Sequence, residues 1–154
     1  MKRARIVVLF GMAAVLVTGI AETSSRDAAV TRVHHDAGLA WGPCPPVFPG
    51  ACEVAVLHGD PAAPHADVFL RVPPGYAIPP HRHTSPEHMV LVAGELQVTY
   101  AGQPPFTMRE GSYAFGPAKA PHAGRCVSKS PCVLFITFES PMDADAVASI
   151  DRVE

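Results

Sequence analysis

Two histidines and a glutamate lie close together near the middle of the sequence. His81, His83 and Glu87 fall within the segment His-Arg-His-Thr-Ser-Pro-Glu. In an extended chain successive side chains alternate between faces, so His81 and His83 project to the same side. Imidazole nitrogens and a carboxylate oxygen that converge on one point are donors that borderline divalent metals prefer. The spacing therefore indicates a metal site, and the competing interpretation is a loop of solvent-exposed histidines.

The wider spacing around these residues forms two groups. The first group has intervals of five, one, three and six intervening residues and comprises Gly75, His81, His83, Glu87 and Gly94. The second begins after sixteen further residues and comprises Gly111, Pro117 and His122. Together they resemble the two sequence motifs of the cupin superfamily. The second group departs from the usual pattern at two positions, because Lys119 stands in place of glycine and Cys126 in place of asparagine.

The resemblance implies an all-β fold, a double-stranded β-helix or jelly-roll barrel whose interior holds one metal. It also implies that the metal ligands are His81, His83, Glu87 and His122, which leave one or two coordination positions open for water or substrate. The metal would be a single divalent transition ion, namely zinc, copper, iron, manganese or nickel. Cupins commonly form dimers by pairing barrel edges, so the resemblance also allows a homodimer.

Two classes of function fit such a site. The first is a metalloenzyme acting on a small molecule, with dioxygenase-like, decarboxylase-like or isomerase-like chemistry at a centre of three histidines and one glutamate. The second is a non-catalytic module that binds a small ligand or senses it through the metal. The fold alone does not separate the two classes, and the sequence names no substrate.

Several neighbouring residues have simpler interpretations. His88 follows Glu87 on the same strand, so it should face away from the metal. Lys119 is expected to be a solvated loop residue, the alternative being a role in attracting an anionic substrate. His34 and His35 are adjacent in sequence, point in different directions and are not expected to bind metal. The predicted barrel core includes Met89, Leu91, Phe115, Phe135 and Phe138.

The elements that must position these residues are short strands. From residue 53 onward, apolar runs of four to eight residues recur between turn-forming segments rich in glycine and proline, which is typical of a β-sandwich or barrel. We predict a barrel over residues 53–139, preceded by an arm and proline-rich loop over residues 22–52, in which Trp41 and Phe48 anchor the core. Residues 140–154 form a C-terminal tail, and Met142 to Ile150 has a helical pattern.

The first 21 residues have the pattern of a secretory signal peptide. A cationic start, Met-Lys-Arg-Ala-Arg, precedes an apolar run that ends in small residues at Gly19 and Ala21. The run is short for a membrane-spanning helix, so we predict cleavage, no stable membrane insertion afterwards, and a secreted or periplasmic protein. An uncleaved anchor is the competing interpretation.

The cysteines and the charge fit an exported protein. In an oxidising compartment the four cysteines are expected to pair locally, Cys44 with Cys52 and Cys126 with Cys132, although three pairings are possible and metal binding by cysteine competes. The 154 residues include 12 basic and 14 acidic side chains and 48% apolar residues. This composition argues against disorder, and the net charge of −2 argues against a nucleic-acid partner.

Overall fold

The structure, a computed structural model, describes residues 29–150, and in this range it consists of β-strands and connecting loops without a helix. In chain order the strands are β1 (Gly42–Pro43), β2 (Glu53–His58), β3 (Ala66–Val72), β4 (Ala77–Arg82), β5 (Glu87–Ala93), β6 (Leu96–Tyr100), β7 (Phe106–Met108), β8 (Tyr113–Gly116), β9 (His122–Cys126), β10 (Cys132–Phe138) and β11 (Asp145–Ala146). The predicted signal peptide, residues 1–21, lies outside the described residues. Within the described range, no helix is long and apolar enough to cross a membrane.

The strands form two antiparallel sheets that enclose one core. The six-stranded sheet has the order β1-β2-β3-β10-β5-β8, and the five-stranded sheet has the order β11-β4-β9-β6-β7. Buried side chains of both sheets meet between them, including Val68, Leu91 and Leu134 from the first and Leu96 and Val98 from the second. This arrangement is the jelly-roll barrel that the sequence predicts.

Strand β4 contains two consecutive prolines. Pro79 and Pro80 have no backbone N–H to donate, and the pairing of β4 with β9 shifts register between Ile78 and His81. The strand nevertheless continues to His81, which pairs with His122. The prolines therefore interrupt the ladder locally and leave the histidine at the end of the strand in place.

Side-chain alternation corrects part of the predicted core. Met89, Leu91 and Phe138 are buried, as predicted. The prediction for Phe115 is wrong, because the inward positions of β8 are Ala114 and Gly116 and leave Phe115 46% exposed. Phe135 is half-buried on the outer face, where its ring contacts that of Phe69.

Of the two alternatives for the C-terminal segment, the helix over Met142 to Ile150 is wrong and the tail is observed. Asp145 and Ala146 pair with Arg82 and His81 of β4, so the segment is an extended tail. Nine residues are too few for a helix that lacks strong packing, and hydrogen bonds to an existing sheet edge satisfy the same backbone groups.

The cysteine pairs match the sequence prediction, and of the two predicted core anchors Phe48, but not Trp41, belongs to the buried core. Cys44–Cys52 and Cys126–Cys132 are disulfides, with Cα–Cα distances of 5.4 Å and 5.8 Å. Phe48 is buried in the core. Trp41 is half-buried and lies beneath the guanidinium of Arg71, 4.0 Å from the ring centroid. The two disulfides are consistent with an extracellular protein.

Candidate metal centre

The three predicted histidine ligands meet at one end of the barrel. His81 is the last but one residue of β4, and His122 begins β9 directly opposite it, with their ring centroids 4.1 Å apart. His83 follows β4 and places its ring 4.9 Å from that of His81. One nitrogen of each ring lies within 4.8 Å of the others, and all three residues are buried. The loop of solvent-exposed histidines considered as an alternative is therefore excluded.

Backbone carbonyl groups fix the orientation of all three rings. The Nδ1 atom of His81 donates to the carbonyl of Pro79 at 2.7 Å, and that of His122 donates to the carbonyl of Ala120 at 3.0 Å. The Nδ1 atom of His83 donates to the carbonyl of Asp143. A carbonyl oxygen only accepts, so each Nδ1 atom carries a proton and each neutral ring presents an unprotonated Nε2 atom. This is the tautomer that a metal ion requires.

The carboxylate of Glu87 faces the same point from the other sheet. Its Oε1 atom lies 3.1 Å from Nε2 of His122, and its Oε2 atom lies 3.5 Å from Nε2 of His83. The first contact is a hydrogen bond only when Nε2 of His122 carries a second proton, and with the neutral ring the buried Oε1 atom has no hydrogen-bond donor. Opposed acceptor atoms in a buried site are stabilised by a cation between them, which is either a proton on Nε2 of His122 or a metal ion. The donor set therefore fits a divalent metal.

The electrostatics of the metal-free site favour one positive charge beside the carboxylate of Glu87. Burial lowers the pKa of His122, but the hydrogen bond and charge of Glu87 outweigh this and raise it above its ordinary value. Burial raises the pKa of Glu87, and His122 in turn holds it below its ordinary value. Burial and repulsion from His122 lower the pKa of His81 to about 3. The site thus stabilises positive charge on His122 beside Glu87 and disfavours a proton on the Nε2 atom of His81.

A cavity of about 60 Å³ adjoins the cluster. Apart from the three histidines, Glu87 and Asp143, its lining side chains are apolar, among them Met89, Leu134 and Phe138. The carboxylate of Asp143 accepts hydrogen bonds from the backbone N–H and the hydroxyl of Thr84. The cavity therefore offers a small apolar space beside the metal-binding atoms.

Gly116, which the sequence analysis did not single out, belongs to the site. A Cβ atom at this position would lie 2.7 Å from Oε1 of Glu87, so only glycine leaves room for the carboxylate. The residue pairs with Glu87 across β8 and β5. In the sequence Gly116 directly precedes Pro117 of the second motif, but that motif does not specify a residue type at position 116.

Tyr100 and Asp143 were also missed. Tyr100 pairs with His122 across β6 and β9, and the ring centroids lie 5.1 Å apart. Its buried hydroxyl has no hydrogen-bond partner in the described part of the chain, and burial raises its pKa. Asp143 lies 60 residues from His83 in sequence, so no local pattern links the two.

The predictions for His88 and Lys119 agree with the structure. The ring of His88 lies outside the cluster, between the hydroxyl of Tyr113 and the carboxylate of Glu139. Lys119 is exposed, and its backbone N–H donates to the carbonyl of His83 at 2.7 Å. His34 and His35 contact each other away from the three-histidine cluster.

Comparison with known proteins agrees with the cupin fold that the two sequence motifs indicate. Residues 68–138 match the Cupin_2 family, described as a cupin domain. The dimethylsulfoniopropionate lyase DddQ of Ruegeria pomeroyi is 32% identical over 106 residues, which cover 68% of this chain and 52% of the relative. The chain therefore spans about half the length of this curated relative.

Solved structures of cupins superpose on the barrel. The crystal structure of DddQ from Ruegeria pomeroyi aligns with a TM-score of 0.60 at 21% identity, covering 70% of this chain and 60% of that one. Oxalate decarboxylase from Bacillus subtilis aligns with a TM-score of 0.54 at 16% identity, covering 62% of this chain and 28% of that one. Together with the two motifs and the three-histidine cluster, the family match over residues 68–138 shows that this barrel is a cupin domain.

Proposed function

We propose that His81, His83, Glu87 and His122 bind one divalent transition metal and that the protein is an enzyme acting on a small molecule at this metal. The observation that carries the proposal is the shared tautomer: three buried Nε2 atoms, each fixed by a carbonyl on Nδ1, face a carboxylate whose Oε1 atom has no donor. Four protein ligands leave coordination positions for a substrate on a metal that accepts five or six.

The substrate class that fits best is a small carboxylate. Dimethylsulfoniopropionate and oxalate, named in the proteins to which the chain is similar, both carry carboxylates. A carboxylate oxygen is a good ligand for the proposed metal ions. The adjoining cavity of about 60 Å³ is small and lined mostly by apolar side chains, so it suits a compact body that displaces water from the site.

The residues of this chain would contribute mainly by positioning. When bound, the metal would act as a Lewis acid on a substrate oxygen. The backbone carbonyls that hold the three Nδ1 protons keep the rings from turning, and Gly116 leaves Glu87 room to face them. The apolar walls, such as Leu134 and Phe138, exclude water from the bound substrate. Lyase chemistry is the first reaction to test, since the curated relative is a lyase; dioxygenase-like, decarboxylase-like and isomerase-like reactions follow.

A non-catalytic binding or sensory module is the second candidate, and one observation favours it. Among the described residues that line the cavity, Asp143 is the only one beyond the four proposed ligands with an ionisable side chain. Its carboxylate already accepts two hydrogen bonds from Thr84. A reaction that needs a separate general base would therefore have to use a ligand residue or the substrate itself.

An activity measurement on metal-loaded protein separates the two candidates. Metal-free protein is loaded in turn with Zn²⁺, Fe²⁺, Mn²⁺, Ni²⁺ and Cu²⁺ and incubated with dimethylsulfoniopropionate, while dimethyl sulfide is followed by gas chromatography; parallel samples receive oxalate. We expect turnover with at least one ion, loss of turnover in His122→Ala and retention in His88→Ala. Tight metal binding without turnover of either carboxylate would favour the binding module.

We also propose that residues 1–21 are a cleaved signal peptide and that the protein acts outside the cytoplasm. The two disulfides support this location, because such bonds form in oxidising compartments. Cell fractionation followed by N-terminal sequencing tests the proposal. A mature protein beginning close to residue 22 in the exported fraction is expected, and full-length protein in the cytoplasm would contradict it.

A further inference from the structure

The C-terminal strap, residues 140–147, closes over the metal end of the barrel and lies beyond the residues that match the cupin family. At its start the backbone N–H of Ser140 donates to the hydroxyl of Ser85 at 2.9 Å. Further along, the N–H of Val147 donates to the carbonyl of Pro80 at 3.1 Å. Between these points the strap pairs with β4 as strand β11. The strap is therefore held at both ends against the loop and strand that carry two of the proposed ligands.

Asp143, near the middle of the strap, contacts the site through its backbone and its side chain. Its carbonyl accepts the Nδ1 proton of His83. Its carboxylate accepts hydrogen bonds from the backbone N–H of Thr84, at 2.8 Å, and from the hydroxyl of Thr84. The two side-chain bonds thus clamp the carbonyl of Asp143 to the residue that follows His83.

His83 differs from the other two histidines in the position of the carbonyl that accepts its Nδ1 proton. His81 and His122 donate to carbonyls two residues earlier in the chain, so their ring orientations are fixed locally. The acceptor for His83 comes from a segment 60 residues later. The orientation of His83 therefore depends on the docking of the strap.

We propose that Asp143 is a positioning residue and that docking of the C-terminal strap is coupled to metal binding. The inference rests on the proposed metal site. A docked strap holds Nε2 of His83 toward the metal, and a bound metal holds His83 in the orientation that accepts the strap. Such coupling is reciprocal, so each event favours the other by the same factor.

The coupling extends to the substrate cavity. Met142, Asp143 and Ala144 line the cavity beside His83. Release of the strap would remove this wall and open the site to water. The strap therefore links an occupied metal site with an enclosed cavity.

The test compares two variants of acidic residues on the same strap. Asp143→Ala removes both bonds to Thr84, whereas Asp145→Ala changes an exposed residue of β11 and serves as the control. Asp143→Ala keeps the backbone carbonyl that accepts from His83 but frees it from Thr84. We expect Co²⁺ affinity to fall towards the roughly 10- to 100-fold range typical of losing a group that orients a metal-bound histidine. Co²⁺ is the probe, because its visible absorption reports ligand geometry as well as occupancy. Asp143→Asn, which keeps one carbonyl oxygen, is expected to bind Co²⁺ with intermediate affinity.

Hydrogen exchange provides a readout independent of affinity. In the wild-type protein Co²⁺ should slow exchange of the backbone amides of residues 142–147, and this protection should be lost in Asp143→Ala but not in Asp145→Ala. Equal Co²⁺ affinity, an unchanged spectrum and equal protection in Asp143→Ala and the wild type would overturn the role of the strap. Failure of the wild-type protein itself to bind Co²⁺ would instead overturn the proposed metal site.

Discussion

Gly116→Ala perturbs the site through a single added carbon atom. The new Cβ would lie 2.7 Å from Oε1 and 2.8 Å from Cγ of Glu87. Both distances are shorter than the 3.4 Å at which ordinary van der Waals contact begins. Glu87 is only 2% exposed, so it cannot relieve the contact by moving into solvent. The backbone of Gly116 does not have a positive φ, and alanine is therefore tolerated by the chain itself. The carboxylate has to move, by about 0.7 Å if it alone gives way.

This displacement is large on the scale of a metal site, where ligand distances vary by about 0.2 Å. Moving the carboxylate away from the added carbon disturbs the 3.1 Å contact between Oε1 and Nε2 of His122. We expect metal affinity to fall about 10- to 100-fold, which corresponds to about 1.4–2.8 kcal/mol. The same overpacking should lower the stability of the metal-free protein by about 1–3 kcal/mol, partly offset because alanine restricts the unfolded chain more than glycine does.

Competition between the protein and a chromophoric chelator for Zn²⁺ measures this change. Gly42→Ala is the matched control, since a Cβ atom at Gly42 meets nothing within 4 Å among the described residues. Circular dichroism establishes that both variants are folded. Zn²⁺ affinity of Gly116→Ala within twofold of the wild type, or an equal loss in Gly42→Ala, would refute the assignment of Glu87 to the metal.

Two further predictions concern stability. Lys119 has a φ of 64°, a left-handed conformation that costs a side chain about 1–2 kcal/mol, so Lys119→Gly should raise the thermal midpoint by a few degrees, and a lower midpoint would contradict this explanation. In metal-free protein the unfolded chain takes up a proton at His81 below pH 6.5, whereas the folded chain does so only near a pKa of about 3. Urea unfolding in a chelator should therefore show stability falling by up to about 1.4 kcal/mol per pH unit between pH 6.5 and 3, and a flat profile would contradict the buried, neutral His81.

The sequence predicts the barrel well because its strands carry strong local signals. Glu53–His58 and Ala66–Val72 are apolar runs bounded by glycine and proline, and they are strands with those bounds. Strands β4 and β9 are harder to predict, because Pro79 and Pro80 break the pattern in one and Gly124 interrupts the other. The resemblance to cupins nevertheless placed His81 and His122 correctly in the cluster.

The parts of the site that were not predicted arise from tertiary contacts. Gly116 is needed because the carboxylate of Glu87 packs against it from the neighbouring strand. The spacing of the two residues in sequence does not predict this contact. Asp143 lies in a segment whose local pattern favours helix, whereas pairing with β4 draws the segment into an extended strap. The apolar side chain of Phe115 predicts a core position, whereas the alternation along β8 turns it outward.

Metal content tests the central claim most directly. Protein isolated from its native compartment is measured by inductively coupled plasma mass spectrometry, together with the single variants His81→Ala, His122→Ala and His88→Ala. We predict one divalent transition metal ion per chain in the wild type and in His88→Ala, and sharply lower content in the two cluster variants. A wild-type protein without stoichiometric metal, or equal metal content in all three variants, would contradict the site.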